Sequence, residues 1–267
     1  MITLSSAQLN TWIASIMWPL TRILGVFAIA PLFGNASVPV RIKICLGILL
    51  AAIVAPAVPA LPAVDPMSAV GLLILAQQLV IGLAMGFAVR IVFAGVELAG
   101  DLSGMTMGLG FASFFDPQSQ GQTSIINQFL ALIMIMIYMT TNLHLIVLST
   151  MIKSFTLLPI SAHALSNRGA LDVVQLGGRI FSAGVQLSLP IVAALLITNV
   201  ALGILTRAAP QLNIFGIGFP ITIGVGIVMI AVVLPYLTTP LTNLIQEGVD
   251  AMGTIAASFG APTGAAP

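Results

Sequence analysis

Charge is what this sequence has least of. Its 267 residues include 8 Lys+Arg and 7 Asp+Glu, so 6% are charged and the formal net charge is +1. An ordinary soluble domain carries roughly a quarter of its residues as charges. With so few ionic groups, a folded surface could not divide its apolar area into the small patches that water tolerates. The solvent of this chain must therefore be lipid or other apolar chains. The same scarcity excludes a nucleic-acid footprint, which needs a Lys/Arg-rich face able to neutralise several phosphates. A single cysteine, Cys45, excludes an internal disulfide framework and any Cys-rich metal site. Only Lys43 and Lys153 are lysines, and no Gly-x-x-x-x-Gly-Lys-[Ser/Thr] run occurs, so any driving energy comes from elsewhere. His144 and His163 are the only histidines, and neither His-Glu-x-x-His nor Gly-x-Ser-x-Gly is present. The expectation is a chain without enzymatic activity, with no catalytic residue, no cofactor and no metal ligand.

What the sequence does have is length of apolar run. Hydrophobic residues make up 59% of it, and mean hydropathy is +1.16. A helix needs about 20 mostly apolar residues to cross the hydrocarbon core. Six stretches qualify: Trp12 to Phe33, Ile42 to Ala60, Ala69 to Val96, Ile125 to Ile152, Ile180 to Thr206 and Ile214 to Ile245. Period-two alternation, the mark of a membrane barrel strand, is absent. The expected class is an all-α membrane protein with about six long apolar helices. The first stretch reads as a retained helix rather than a cleaved leader. Residues 1–11 hold no Lys or Arg, and Arg22 interrupts the apolar run.

Lys and Arg are nearly balanced between the connections. Arg41, Lys43 and Arg207 fall on one side, and Lys153, Arg168 and Arg179 lie in the long fourth connection. The positive-inside rule then leans only weakly to both termini facing outward.

Several spans are poorly made for an isolated bilayer helix. Pro19, Pro31, Pro190, Pro220 and Pro235 lie within them, and Arg22, Arg90, Asn142 and His144 lie within or at the ends of apolar runs. An arginine near a span end ordinarily snorkels to the interface, and a proline in a membrane helix is ordinarily re-satisfied locally. Together, however, these residues suggest helices surrounded by protein. Gly82 and Gly86 are four apart, and so are Gly100, Gly104 and Gly108, a spacing that lets another backbone approach one helix face if the helix continues that far.

Two segments break the apolar pattern. Gly104 to Thr123 combines glycines with Met105, Met107, Phe111, Phe114 and Phe115, then a polar Asp116-Pro117 turn. A deformable apolar loop at a membrane boundary suits a stopper or gasket, although composition alone also fits a loop tucked against the helices. Leu205 to Pro220 joins two long apolar runs through Arg207, Pro210, Gln211 and Asn213, which makes it the tip of a helical hairpin.

Arg207-Ala-Ala-Pro-Gln-Leu-Asn-Ile-Phe215, followed by Gly218-Phe-Pro220, resembles the signature of the FliR family of flagellar and type III secretion export-gate proteins. Phe115-Asp-Pro-Gln118, the Arg22 to Phe33 stretch with its Pro-Leu-Phe, Pro39-x-Arg41 and the overall length are similar as well. The resemblance covers nearly the whole chain. It implies a non-catalytic channel subunit at the flagellar basal body in the bacterial inner membrane. The implied partners are FliP-like and FliQ-like subunits, an FlhB-like protein and unfolded export substrates. It further implies a FliP-like part over residues 1–185 and a FliQ-like hairpin over 186–250. The remaining residues 251–267, Gly/Ala/Pro-rich from Ala256 onward, match no family feature and read from composition as a disordered tail. Residues 104–123 would then be a channel plug, with Met105, Met107, Phe111, Phe114, Phe115, Asp116 and Pro117 at the seal. Arg207, Pro210, Gln211, Asn213, Phe215, Gly218 and Pro220 would form a hairpin tip at the cytoplasmic mouth. Gly100, Gly104 and Gly108 remain packing positions, within the chain or against a partner.

The rival from another class is a secondary transporter of a small solute, with Arg22, Arg90, Asn142 and His144 as polar groups in broken helices. Such proteins usually carry internal repeats, and none is evident between residues 1–130 and 131–267.

Overall fold

The structure, a computed structural model, describes residues 6–59, 61–62, 64–109, 124–209 and 214–260. Among these residues every regular element is helical. In chain order they are α1 (Ser6–Ile29), α2 (Val40–Val54), α3 (Ala69–Thr106), α4 (Ile125–Thr140), α5 (Leu143–Leu157), α6 (Asn167–Ala208) and α7 (Ile214–Phe259), with a 3-10 turn at Ala55–Ala57. The all-α membrane class holds. Among the described residues four helices are long and apolar enough to cross, or five if α4 and α5 count as one broken span, against six apolar stretches in the sequence.

Both departures from six have local causes. The second stretch forms only the 15-residue α2, about 22 Å at 1.5 Å per residue against a core of about 30 Å. Pro56, Pro59 and Pro62 follow its end, and each removes a backbone donor and disfavours helix in the residue before it. The fourth stretch breaks at Thr141-Asn142. The Thr140 and Thr141 hydroxyls both donate back to the Ile137 carbonyl, at 3.2 and 2.6 Å, and Asn142 takes φ +57, a left-handed conformation that Asn tolerates better than most residues.

By contacts the chain divides into two compact units that interleave in sequence. The first comprises Met1–Ile91, Asn142–Gly177 and Gln246–Pro267; the second comprises Val92–Thr141 and Gly178–Ile245. The boundary expected near residue 185 falls inside the single helix α6.

In the first unit α1 buries Ala14, Trp18, Arg22, Val26 and Phe27. It meets α3 at backbone distance, because a Cβ on Gly82 would collide with the Arg22 carbonyl oxygen and would lie 3.0 Å from Gly25 Cα. A Cβ on Gly86 would lie 2.8 Å from the Val26 carbonyl oxygen. The four-residue glycine spacing thus acts as the packing device it suggested. Gly82→Val is expected to cost about 1–3 kcal/mol by overpacking, read as a lowered thermal unfolding midpoint in detergent. An unchanged midpoint would refute the close contact. At the end of α1, Leu32 takes φ +72 after Pro31, and Phe33 stacks on Phe27 with ring centroids 4.5 Å apart.

The tail expectation needs correction. Residues 251–259 continue α7, and Val249, Met252, Ile255, Ala256 and Phe259 are buried. Their spacing of three and four is a helical stripe, and the Ser166 amide donates to the Phe259 carbonyl at 3.0 Å. Residues 261–267 lie outside the described residues.

The second unit contains most of α6 and α7, the long apolar rods. Helices of 42 and 46 residues run about 60–70 Å, roughly twice the hydrocarbon thickness. They are barely covered by their own chain. Only 11% of the most apolar window of α6 and 22% of that of α7 is buried, against 61% for α3.

Candidate functional site

The segment singled out as a gasket begins at the end of α3, and its first residues are firmly built in. α3 stops at Thr106 because Gly108 adopts φ +88. Its amide donates to the Met105 carbonyl at 3.0 Å, the bonding of a left-handed helix C-cap. A side chain at residue 108 is excluded twice over, by that φ and by the Phe219 ring, which lies 2.7 Å from where its Cβ would be. Gly108 therefore does not extend the face made by Gly100 and Gly104, as the spacing had suggested, since the helix has already ended. Gly100 lies against the Asn127 backbone and Gly104 against Ser124. Beside them the Asn127 amide nitrogen donates to Asp101 Oδ1 at 2.9 Å.

Met107, fully buried, is the centre of the anchor. Its carbonyl accepts from the Thr222 hydroxyl at 2.9 Å. Its side chain fills the space over Gly226, where a Cβ would come within 2.5 Å of Met107 Cγ. Phe219, Thr222 and Gly226 recur at intervals of three and four, so one face of α7 receives the whole turn. Met105, by contrast, is exposed. Phe111, Phe114, Phe115, Asp116 and Pro117 lie outside the described residues.

At the hairpin, Arg207 is exposed in the last turn of α6, where a cation suits the helix dipole. The Ala209 amide donates to the Leu205 carbonyl at 2.8 Å. Pro210, Gln211 and Asn213 lie outside the described residues. Phe215 is in the first turn of α7, Gly218 is buried, and Pro220 lies within α7 with its ring exposed.

In the first unit a second constellation was only half legible. Arg22 does not snorkel: it is 0% exposed. Nε donates to Gln78 Oε1 at 2.8 Å, Nη1 to the Ser154 carbonyl and hydroxyl at 3.0 and 3.2 Å, and Nη2 to the Leu158 carbonyl at 3.0 Å. The guanidinium lies over the Phe155 ring, 4.4 Å from its centroid. It therefore sits at the carboxyl end of α5, where the dipole is negative, sharing the Ser154 carbonyl with the Leu158 amide and holding the Leu158 carbonyl just past the helix. The available signal was Gln77-Gln78 in an otherwise apolar run, since a buried cation needs acceptors carried on another helix.

The four polar residues of the transporter reading do not converge. Asn142 and Ser154 are twelve residues apart along α5, and Gln78 and Arg90 are twelve apart along α3. Each interval corresponds to about 18 Å of helix, so Arg22 sits far from the other three. Among the described residues, no group of three His, Cys, Asp or Glu is placed to hold a metal.

The family model for bacterial export proteins, family 1, matches residues 13–248. The chain belongs to the FliR family. The flagellar biosynthetic protein FliR of Pectobacterium carotovorum subsp. carotovorum is 38% identical over 255 residues, covering 96% of this chain and 97% of that protein. The FliR protein of Escherichia coli K12 is 36% identical over 247 residues, covering 92% and 94%. The Bacillus subtilis 168 protein of the same name is 28% identical over 243 residues, covering 90% and 93%. The family match includes the Arg22 network and the Met107 anchor, and it stops before the buried last turns of α7. This chain is thus a membrane protein of flagellar biosynthesis and export.

Proposed function

We propose that this FliR-family chain is a non-catalytic channel subunit of the export gate, assembled with FliP-like and FliQ-like subunits and embraced by an FlhB-like protein. In this reading the assembly sits in the inner membrane at the flagellar basal body and passes unfolded substrates. The observation that carries it is the bareness of α6: a 42-residue apolar helix with 11% of its most apolar window buried. Such a rod is about twice as long as one crossing requires, so its uncovered apolar surface fits contact with sister subunits as well as lipid. Residues 1–185 would supply the FliP-like part and 186–250 the FliQ-like hairpin.

Within that assembly, residues 104–123 act as the plug. Its root is held at Met107 by the anchor on α7, and Phe111, Phe114 and Phe115 close the lumen. A plug needs one fixed end and one movable body, and the fixed end is consistent with Met107. Deleting residues 110–115 is expected to let the assembled channel leak ions at rest, measured as dissipation of an imposed gradient in vesicles. Undiminished tightness would remove the sealing role. Replacing Arg207 or Gln211 with alanine is expected to lower export while leaving membrane insertion intact. Full export would reduce the tip to a connector.

A further inference from the structure

The first unit contains a cavity of about 620 Å³, lined among others by Gln77, Gln78, Ser161, His163 and Phe259. We propose that it binds a phosphate group, carried by a lipid or free in solution. The reading is independent of whether residues 104–123 seal a channel.

The argument begins with Arg22. All four of its hydrogen bonds end on neutral oxygens, so among the described residues the buried positive charge has no paired negative one. Neutral dipoles can hold such a charge, but a nearby anion lowers its energy further because the surroundings screen it weakly. The route to an anion is Gln78. It is 1% exposed and lines the cavity, and its Oε1 accepts the Arg22 Nε–H at 2.8 Å. Accepting from a cation polarises the carboxamide, which makes its own N–H bonds stronger donors. With Oε1 committed to Arg22, the amide nitrogen is the group Gln78 can offer to a ligand.

The wall supplies the remaining parts. Gln77, 8% exposed, donates Nε2 to the His163 carbonyl at 3.1 Å and so ties the segment after α5 to α3. That segment brings Ser161 and His163, residues whose side chains can donate hydrogen bonds, into the lining of the cavity. Leu158, whose carbonyl is held by Arg22, lines it as well. A cavity with mostly apolar lining, a few polar residues and a buried cation behind one of them has the makeup of a small-molecule site, and the volume lies in the usual range of about 300–1,000 Å³. Phosphate matches the donors because it is acceptor-only when ionised and takes several N–H and O–H bonds at once.

The full chain, purified in a neutral maltoside, carries its own reporter. Trp18 lies one turn before Arg22 on α1 and is fully buried, and Trp12→Phe removes the other tryptophan. Fluorescence is titrated with inorganic phosphate, with short-chain phosphatidylglycerol and with a diacylglycerol of equal chain length. Saturable binding of phosphate supports a free-anion site. Binding of phosphatidylglycerol alone supports a lipid headgroup. Gln78→Glu places a carboxylate beside Arg22 and is expected to weaken either ligand at least tenfold, while Ser161→Ala at the more accessible wall weakens it about threefold. Equal binding of the diacylglycerol, no binding of either phosphate compound, or unchanged affinity in Gln78→Glu would each overturn the proposal. Should Gln78→Glu fail to fold, Leu165→Phe narrows the cavity without touching Arg22, and undiminished affinity in that variant overturns the proposal equally.

Discussion

Replacing Arg22 with alanine is expected to destabilise the first unit by about 3–5 kcal/mol, because hydrogen bonds to a charged group contribute about 1.5–3 kcal/mol each and orphaned buried acceptors cost about 1–3. Two effects oppose each other. Removing a buried cation relieves its desolvation, which favours the variant. Against that, Gln78 Oε1 and the Leu158 carbonyl lose the donors shown for them, and the end of α5 loses its positive cap. The loss dominates because the guanidinium serves a side chain of α3 and the last turn of α5 at once. A methionine would fill the space without donating, and a lysine would keep the charge without the planar fork. The expected order of thermal unfolding midpoints in detergent is Arg, then Lys, then Met, then Ala. A methionine variant as stable as the parent would show that only volume matters at this position.

The second large effect is expected at Gly226. Leucine there cannot coexist with Met107, whose Cγ, Cε and Sδ lie 2.5, 2.6 and 2.7 Å from the Cβ position. The turn at residues 107–108 must then leave α7, with loss of the Thr222 bond to the Met107 carbonyl. Overpacking of this kind costs about 1–3 kcal/mol. Swimming in a strain lacking its own copy is expected to fail. Met107→Ala should restore room, so the double variant is expected to recover both midpoint and motility, with a coupling energy of about 1–3 kcal/mol in the cycle. Additive losses would mean that the two residues do not meet. Thr222→Val, which removes the hydroxyl shared between the Met107 and Phe219 carbonyls and keeps the shape, is expected to lower stability by only about 1 kcal/mol.

These effects mark where sequence reasoning runs out. The all-helical membrane class was legible because apolar run length is local. So was the Gly82 and Gly86 contact, since a repeat of four needs only one helix to be read. The halving of the fourth stretch was not read, although Thr140, Thr141 and Asn142 stand together: hydroxyl back-bonding competes with a strong apolar helix signal, and composition does not say which prevails. The last turns of α7 were taken for a tail because Gly and Ala dominate the end of the chain. The stripe at Met252, Ile255, Ala256 and Phe259 that holds them becomes meaningful only with something to bury it.

From its composition alone, then, the chain was bound to be a bundle of apolar helices in lipid or among its own kind, since water tolerates no other home for so few charges. Only tertiary structure decided that Arg22 is buried rather than snorkelling, where α3 ends, and which face of α7 receives that end. The reason is the same in each instance. Arg22 finds its acceptors 56 and 136 residues away at Gln78 and Leu158, and Met107 finds Thr222 115 residues away. Polar satisfaction and shape complementarity belong to pairs of elements, and no window along a single element contains them.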